Sequence, residues 1–391
     1  MGKKLKDKAK KAPVSERNAF FKEDFSRLNV MLIFIPISII LHFISGDPLL
    51  VFSTAALGII PLAGLMGRAT EEIALHTGQV TGGLLNATFG NATELIIALV
   101  ALREAAANPA MRETLFQIVK ASITGSIIGN ILLVFGLSVL AGGLKYKVLK
   151  FSAKQAQMAS SVMTMAVIGL LIPAMWALFP SFPQDPNIIE DVSIAVALVM
   201  ITLYILSLVF SLVTHKELLN PDRASVKEAH EENEKKEKAR WSKGLSFGVL
   251  LGTTVMVALM SELLVGSVEG ATKTMGLNEL FVGVVIIAII GNAAEHSTAI
   301  TMALKNKMEI SLAIATGSSA QIALLVTPIL VFASALMGTP MSLVFFPFEL
   351  VAIAVAVVVM NMVSMDGESN WFEGCELLGV YIILAVMFFF Q

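Results

Sequence analysis

Two words of nearly the same spelling hold the residues best placed to do chemistry: GNATELI from Gly90 and GNAAEHS from Gly291. Each puts one glutamate, Glu94 or Glu295, inside an apolar run long enough to lie within a bilayer. An ionisable side chain at that depth costs about 3 kcal/mol on insertion scales and usually marks the path of a charge. Two carboxylates match the charge of one divalent ion, and hard cations gather several oxygens from carboxylates, amides and backbone carbonyls. On a continuous helix Gly90, Asn91 and Glu94 share one face, as do Gly291, Asn292 and Glu295. Asn91 and Asn292 offer neutral oxygens, while Gly90 and Gly291 admit a close neighbouring helix. The matched pair is expected to form two halves of one cation path. The alternative is a pair of structural carboxylates satisfied by adjacent helices.

Small polar groups follow each word. TGSIIGN supplies Thr124, Ser126 and Asn130, and TGSSAQI supplies Thr316, Ser318, Ser319 and Gln321. Ser126, Ser318 and Gln321 join the two asparagines as candidate metal ligands, with Asn130 and Ser319 in support; the alternative for each is an interhelical hydrogen bond. A second cluster, Arg68, Glu71, Glu72 and His76, has helix neighbours at i,i+4. It reads either as an ion vestibule or as a salt-bridged helix end, and Glu262 and Glu269 hold a similar position further on. His296, beside Glu295, titrates near neutrality as a free side chain and could relay protons, although successive helix positions diverge by about 100°.

The elements that must position these residues are membrane helices. Of 391 residues, 56% are hydrophobic and 15% charged, against about 25% charged in soluble domains. Apolar runs of spanning length recur from Leu28 onward, which predicts an all-α polytopic membrane protein solvated by the lipid bilayer. About eleven spans are expected, near 28–46, 49–76, 80–104, 113–143, 156–180, 188–214, 243–274, 278–304, 308–338, 342–364 and 374–390. Residues 1–27 form a lysine-rich tail, and residues 215–242 a charged loop or surface helix. With the tail in the cytosol, the loops holding Lys145, Lys147, Lys150 and Lys154, and Lys305 and Lys307, fall on the same side. Arg103, Arg112 and Lys120 are exceptions to that bias.

Several function classes drop out. A net charge of −2 with no basic face argues against nucleic acid, and the lone Cys375 rules out an internal disulfide and a cysteine-based metal site. There is no HExxH zinc pair and no P-loop, so neither a zinc hydrolase nor a nucleotide-driven pump is expected, and the chain is not read as an enzyme. No cofactor is implied beyond the ions moved.

The chain also repeats itself. Gly90–Glu94 matches Gly291–Glu295, Thr124-Gly125-Ser126 matches Thr316-Gly317-Ser318, and Leu132-Leu133-Val134 matches Leu324-Leu325-Val326. Glu71 and Gly78 pair with Glu269 and Gly276, whereas Asn130 aligns with Ile322 and Gln321 with Gly129. The repeat predicts one extra helix (28–46), a five-helix unit (49–214) and a second, inverted five-helix unit (243–391). An odd number of spans per unit inverts the second, a transporter architecture with its site near the midplane.

The words GLLNATFGNATELIIALVAL (83–102) and GNAAEHSTAITMALKNKMEISLAIATGSSAQIAL (291–324) resemble the two repeat motifs of the calcium/proton exchangers, within the calcium/cation antiporter superfamily. The likeness extends from about Leu49 to the C-terminus, and His296 with the GSS-x-QIAL word resembles the proton-coupled branch. It implies a secondary antiporter that exchanges cytosolic Ca2+ for protons at Glu94 and Glu295, and assembly into homotrimers. It also implies a plasma membrane location in a prokaryote or a vacuolar one in a eukaryote. Sodium-coupled exchange on the same scaffold and a cation channel are the alternatives. The family's acidic segment corresponds to residues 215–243, which here hold seven acids against eight bases.

Overall fold

The computed structural model describes residues 27–77, 79–179, 181–215 and 239–391. The basic tail, Gly78 and most of the charged segment between the two units lie outside the described residues. Apolar sequence without water leaves the backbone no partner but itself, so the chain is built from helices. In chain order they are α1 (Phe34–Ile44), α2 (Pro48–Thr77), α3 (Gln79–Phe89), α4 (Ala92–Ala107), α5 (Arg112–Tyr146) and α6 (Ala153–Leu178). Then come α7 (Pro186–Thr214), α8 (Lys243–Met275), α9 (Glu279–Leu304), α10 (Met308–Leu336), α11 (Pro347–Ser364) and α12 (Trp371–Phe390). Among the described residues nine of these, α2 and α5 to α12, are long and apolar enough to cross a membrane. The protein is an integral membrane protein.

Local chemistry sets the helix ends. Ser152, Asp185, Ser242, Asn278 and Asn370 each accept a backbone N–H of the first turn that follows them. Gly276, at φ +64°, closes α8 in the left-handed region that an L side chain avoids. Outward-facing Leu198, Val199 and Leu206 on α7 and Ile382 and Ile383 on α12 are exposed, as expected for surfaces solvated by lipid rather than water.

The expected continuous helix over 80–104 is interrupted. Gly90 and Asn91 form a turn between α3 and α4, with Asn91 at φ −105° and ψ 28°. Gly90, Asn91 and Glu94 therefore do not share a helical face; Glu94 sits in the first turn of α4. The Asn91 side chain is bonded to Gln321 and Ser318 of α10, as described below. The matching segment, α9, is continuous and carries a π turn at Val282–Ile287. Two further π turns, Gly129–Val134 in α5 and Ile322–Val326 in α10, directly follow the Thr-Gly-Ser words. Such turns recur at functional sites because they re-aim side chains.

Helices α2 and α8 make the largest helix–helix contact. The second half of α5 packs on α12, where Gly136, Gly143 and Gly374 let the two backbones meet. A two-stranded ladder joins the same elements: β1 (Val148–Lys150) pairs antiparallel with β2 (Glu368–Asn370), Leu149 opposite Ser369. Its ladder places the loops before α6 and before α12 on one face of the molecule. Lys145 Nζ and the Tyr146 hydroxyl both donate to the Leu304 carbonyl at 2.9 Å, adding the loop after α9 to that face.

Candidate cation site

A cavity of about 870 Å³ enters between α2, the α3/α4 turn, α9 and α10. Glu295, Gly291, Gly90, Thr93, Ser318 and Gln321 line its inner part, and Arg68, Glu71, Glu72 and Arg240 its mouth. Glu94 is buried just behind this wall, and Glu295 is half-buried on it. The two carboxylates lie close enough to interact electrostatically. Each has one oxygen, Oε2, enclosed without a hydrogen-bond partner. Buried polar atoms are nearly always paired, so two neighbouring carboxylate oxygens without a partner mark this pair as the candidate site. Gly291 matters here for its missing Cβ: an added one would stand 3.0–3.2 Å from Cγ, Cδ and Oε1 of Glu94. Gly291→Ala is expected to displace the Glu94 carboxylate and weaken cation binding about tenfold with the fold retained, measured as the apparent Kd for calcium of the purified protein.

A chain of side-chain hydrogen bonds holds the two halves together behind the carboxylates. The Tyr204 hydroxyl bonds Gln321, whose Oε1 accepts from Asn91 Nδ2. Ser318 Oγ donates to Asn91 Oδ1 at 2.8 Å and accepts from Asn130 Nδ2 at 2.8 Å. Asn130 Nδ2 also reaches Asn292 Oδ1 at 3.2 Å, and Asn292 Nδ2 donates to Ser126 Oγ at 2.9 Å. Each motif asparagine is thus bonded to the serine of the other half. Ser318 also contacts the Glu295 carboxylate. The Oδ1 of Asn130 remains enclosed without a partner, a third oxygen in the same region.

The far side of this network is shut. A Cβ on Gly125 would overlap the Val284 carbonyl, and one on Gly283 would meet Ala121 at 2.5 Å, so α5 and the π turn of α9 touch backbone to backbone. The equivalent glycine of the other half, Gly317, has open space around it and lines the cavity. Consequently, of the two Thr-Gly-Ser segments, only the second lines the cavity, through Gly317, Ser318 and Gln321. The Thr124–Asn130 segment does not line the cavity, because the Gly125 contact fills the space it would face.

The remaining predicted residues sort plainly. Ser319 bonds backbone carbonyls of Ile127 and Ala315. Glu262 pairs with Arg103 at 2.9 Å and Glu269 with Lys273 at 2.6 Å, both exposed and away from the cavity. His296 is half-buried and is not on the cavity wall. At the mouth, Glu72 is buried and accepts the backbone N–H groups of Arg240 and Trp241 at 2.8 and 3.1 Å. His76 Nε2 meets the Trp241 carbonyl at 2.8 Å, and the Arg68 guanidinium lies 5.5 Å above the Trp241 ring. Of this cluster, Arg68, Glu71 and Glu72 border the cavity, and Arg68, Glu72 and His76 also grip the start of the chain into α8. Two buried groups escaped the sequence reading, Tyr204 and Glu349. A lone carboxylate inside LVFFPFELVAI was the available signal for the second.

With this geometry, comparisons with known proteins become specific. The family model "Sodium/calcium exchanger protein" matches residues 48–213 and 245–390. A Ca(2+)/H(+) antiporter of Aphanothece halophytica is 47% identical over 92% of this chain and 95% of its own length. The Ca(2+)/H(+) antiporter ChaA of Bacillus subtilis is 44% identical over 91% and 96%. The solved structure of native YfkE superposes with a TM-score of 0.78 at 39% identity, covering 93% of this chain and 100% of that one. The chain belongs to the sodium/calcium exchanger protein family, on its calcium/proton antiporter branch.

Proposed function

We propose that this protein is a secondary antiporter in which calcium and protons compete for Glu94 and Glu295 by alternating access. The observation that carries the reading is the pair of neighbouring carboxylates, one from each sequence repeat, each with an enclosed partnerless oxygen, Glu295 on the cavity wall and Glu94 packed behind it against Gly291. A calcium ion needs both charges, because a dianionic site balances a divalent cation while neutral asparagine and serine oxygens complete the shell. Protons neutralise the same oxygens and release the metal. No net charge then remains stranded in either loaded form.

The architecture proposed for this cycle is eleven crossings, with α1 and the broken α3/α4 added to the nine long helices. Helices α2–α7 and α8–α12 form the inverted units. Two features support the repeat: the crossed bonds Ser126–Asn292 and Ser318–Asn91 exchange under it, and the π turns of α5 and α10 fall at equivalent positions. The cavity mouth at Arg68, Glu72 and Arg240 shares the end of the bundle where α2 finishes and α8 begins. With the lysine-rich loops cytosolic, the structure is cytosol-facing and shut toward the opposite compartment.

Vesicles bearing an imposed proton or sodium gradient separate this reading from sodium-coupled exchange, since only the proton gradient should drive calcium uptake. Competition also demands a particular pH response. Acidifying the face from which calcium loads should raise the apparent KM for calcium about tenfold per pH unit per competing proton once protons hold the site, leaving the maximal rate unchanged. Initial rates over a grid of calcium and pH, with the other face fixed, measure this; a falling maximal rate at constant KM would count against a shared site.

A further inference from the structure

One polar contact made on the shut side has an unmade equivalent on the open side. Thr124 Oγ1 donates to Glu349 Oε1 at 2.9 Å, and both residues are buried. The other oxygen of Glu349 accepts the Phe346 N–H at 2.9 Å, so the carboxylate is fixed in the first turn of α11. One turn before Thr124, Lys120 donates to the Val344 carbonyl at 2.8 Å and interacts with Glu349 through charge. Together these contacts fasten α11 to the half of α5 that carries Gly125.

Under the repeat, α5 corresponds to α10 and α11 to α6. Thr124 then corresponds to Thr316, and Glu349, the third residue of α11, to Gln155, the third residue of α6. α6 packs against the cavity-lining half of α10, as α11 packs against α5. Yet here the contact is absent. Thr316 Oγ1 donates to Leu312 of its own helix at 2.8 Å, and Gln155 Oε1 is enclosed with no partner. An enclosed amide oxygen without a donor is unfavourable and is relieved when a hydroxyl reaches it. The made contact accompanies the Gly125 seal, and the unmade one accompanies the open space around Gly317.

We propose that Thr124–Glu349 and Thr316–Gln155 are alternating latches, the first closed while the cavity is open and the second closed once the cavity shuts. Glu349 and Gln155 are positioning residues: each acts through a threonine two residues from the serine that contacts the opposite asparagine. The inference rests on the exchange reading. A latch made in one state only shifts the equilibrium between the two faces of the carrier, so its loss moves the two faces' apparent affinities in opposite directions.

The test uses the full-length protein in sided vesicles, with initial calcium flux measured from each face. Thr124→Val should raise the KM at the cavity face and lower it at the other face, each by about fivefold. Thr316→Val should do the reverse, and Thr124→Ser, which keeps the hydroxyl, should restore the wild-type ratio. Constants that move together on both faces, or a fall in maximal rate alone, would overturn the latches. Should Thr124→Val fail to fold by size-exclusion chromatography, Thr316→Val still decides, since it removes a contact not made in this structure; an unchanged ratio there overturns the proposal. Wild-type protein that does not exchange calcium for protons would instead overturn the exchange reading.

Discussion

Replacing either Glu94 or Glu295 by glutamine will abolish proton-driven calcium uptake, with rates falling at least about a hundredfold, because calcium affinity follows the number of carboxylate charges around the ion. The amide keeps the shape of the side chain and cannot titrate, so it removes the one property that calcium and protons share at the site. Glu94 is packed against Gly291 and Glu295 stands on the cavity wall, so a same-size replacement leaves the packing intact. Both variants should elute as folded protein in detergent. Proton-coupled uptake in either at more than a tenth of the wild-type rate would sink the assignment, whereas loss of the folded peak would point to structural carboxylates.

The second large effect separates two glycines that the sequence presents as equals. Gly125→Ala must push apart α5 and α9, since the new methyl overlaps the Val284 carbonyl backbone. Overpacking of this kind costs about 1–3 kcal/mol, and backbone atoms yield less readily than side-chain tips. The apparent Tm in detergent should fall by several degrees, on the scale at which about 1 kcal/mol moves a domain of 150–250 residues by 2–4 °C. Gly317→Ala enters open space and should leave the Tm unchanged. Its cost appears in transport, because the same methyl obstructs the equivalent seal when the cavity closes. A normal exchange rate for Gly317→Ala would mean that the inner side closes by some other contact.

How much of this was legible in the sequence depends on whether a feature is local. The membrane helices follow from runs of apolar residues, and nine of them are present at nearly the expected limits among the described residues. The break at Gly90–Asn91 was hidden, because the same Gly-Asn pair at Gly291–Asn292 stays inside a helix, so the local spelling does not decide it. The Thr-Gly-Ser words identified the right segments, yet identical words cannot say which copy faces a cavity; that depends on which backbone Gly125 happens to touch. Glu262 and Glu269 looked like site residues because they are acids in an apolar helix. Exposed partners, Arg103 and Lys273, account for them instead. Glu349 went unremarked since a glutamate three residues into a helix reads as a cap, which it also is.

The clamp at the cavity mouth has an optical consequence. The chain holds three tryptophans, and Trp241 is the one enclosed by the structure, at 2% exposure, with a guanidinium over its ring and its backbone held by Glu72 and His76. Trp371 is exposed at 47% and Trp176 is half-buried, both on helices away from the mouth. Emission from an indole follows the polarity and charge around it. The molecule therefore carries its own fluorophore at the doorway through which ions pass, and a protein with phenylalanine at positions 176 and 371 would report the opening and closing of that doorway in real time, without an attached dye.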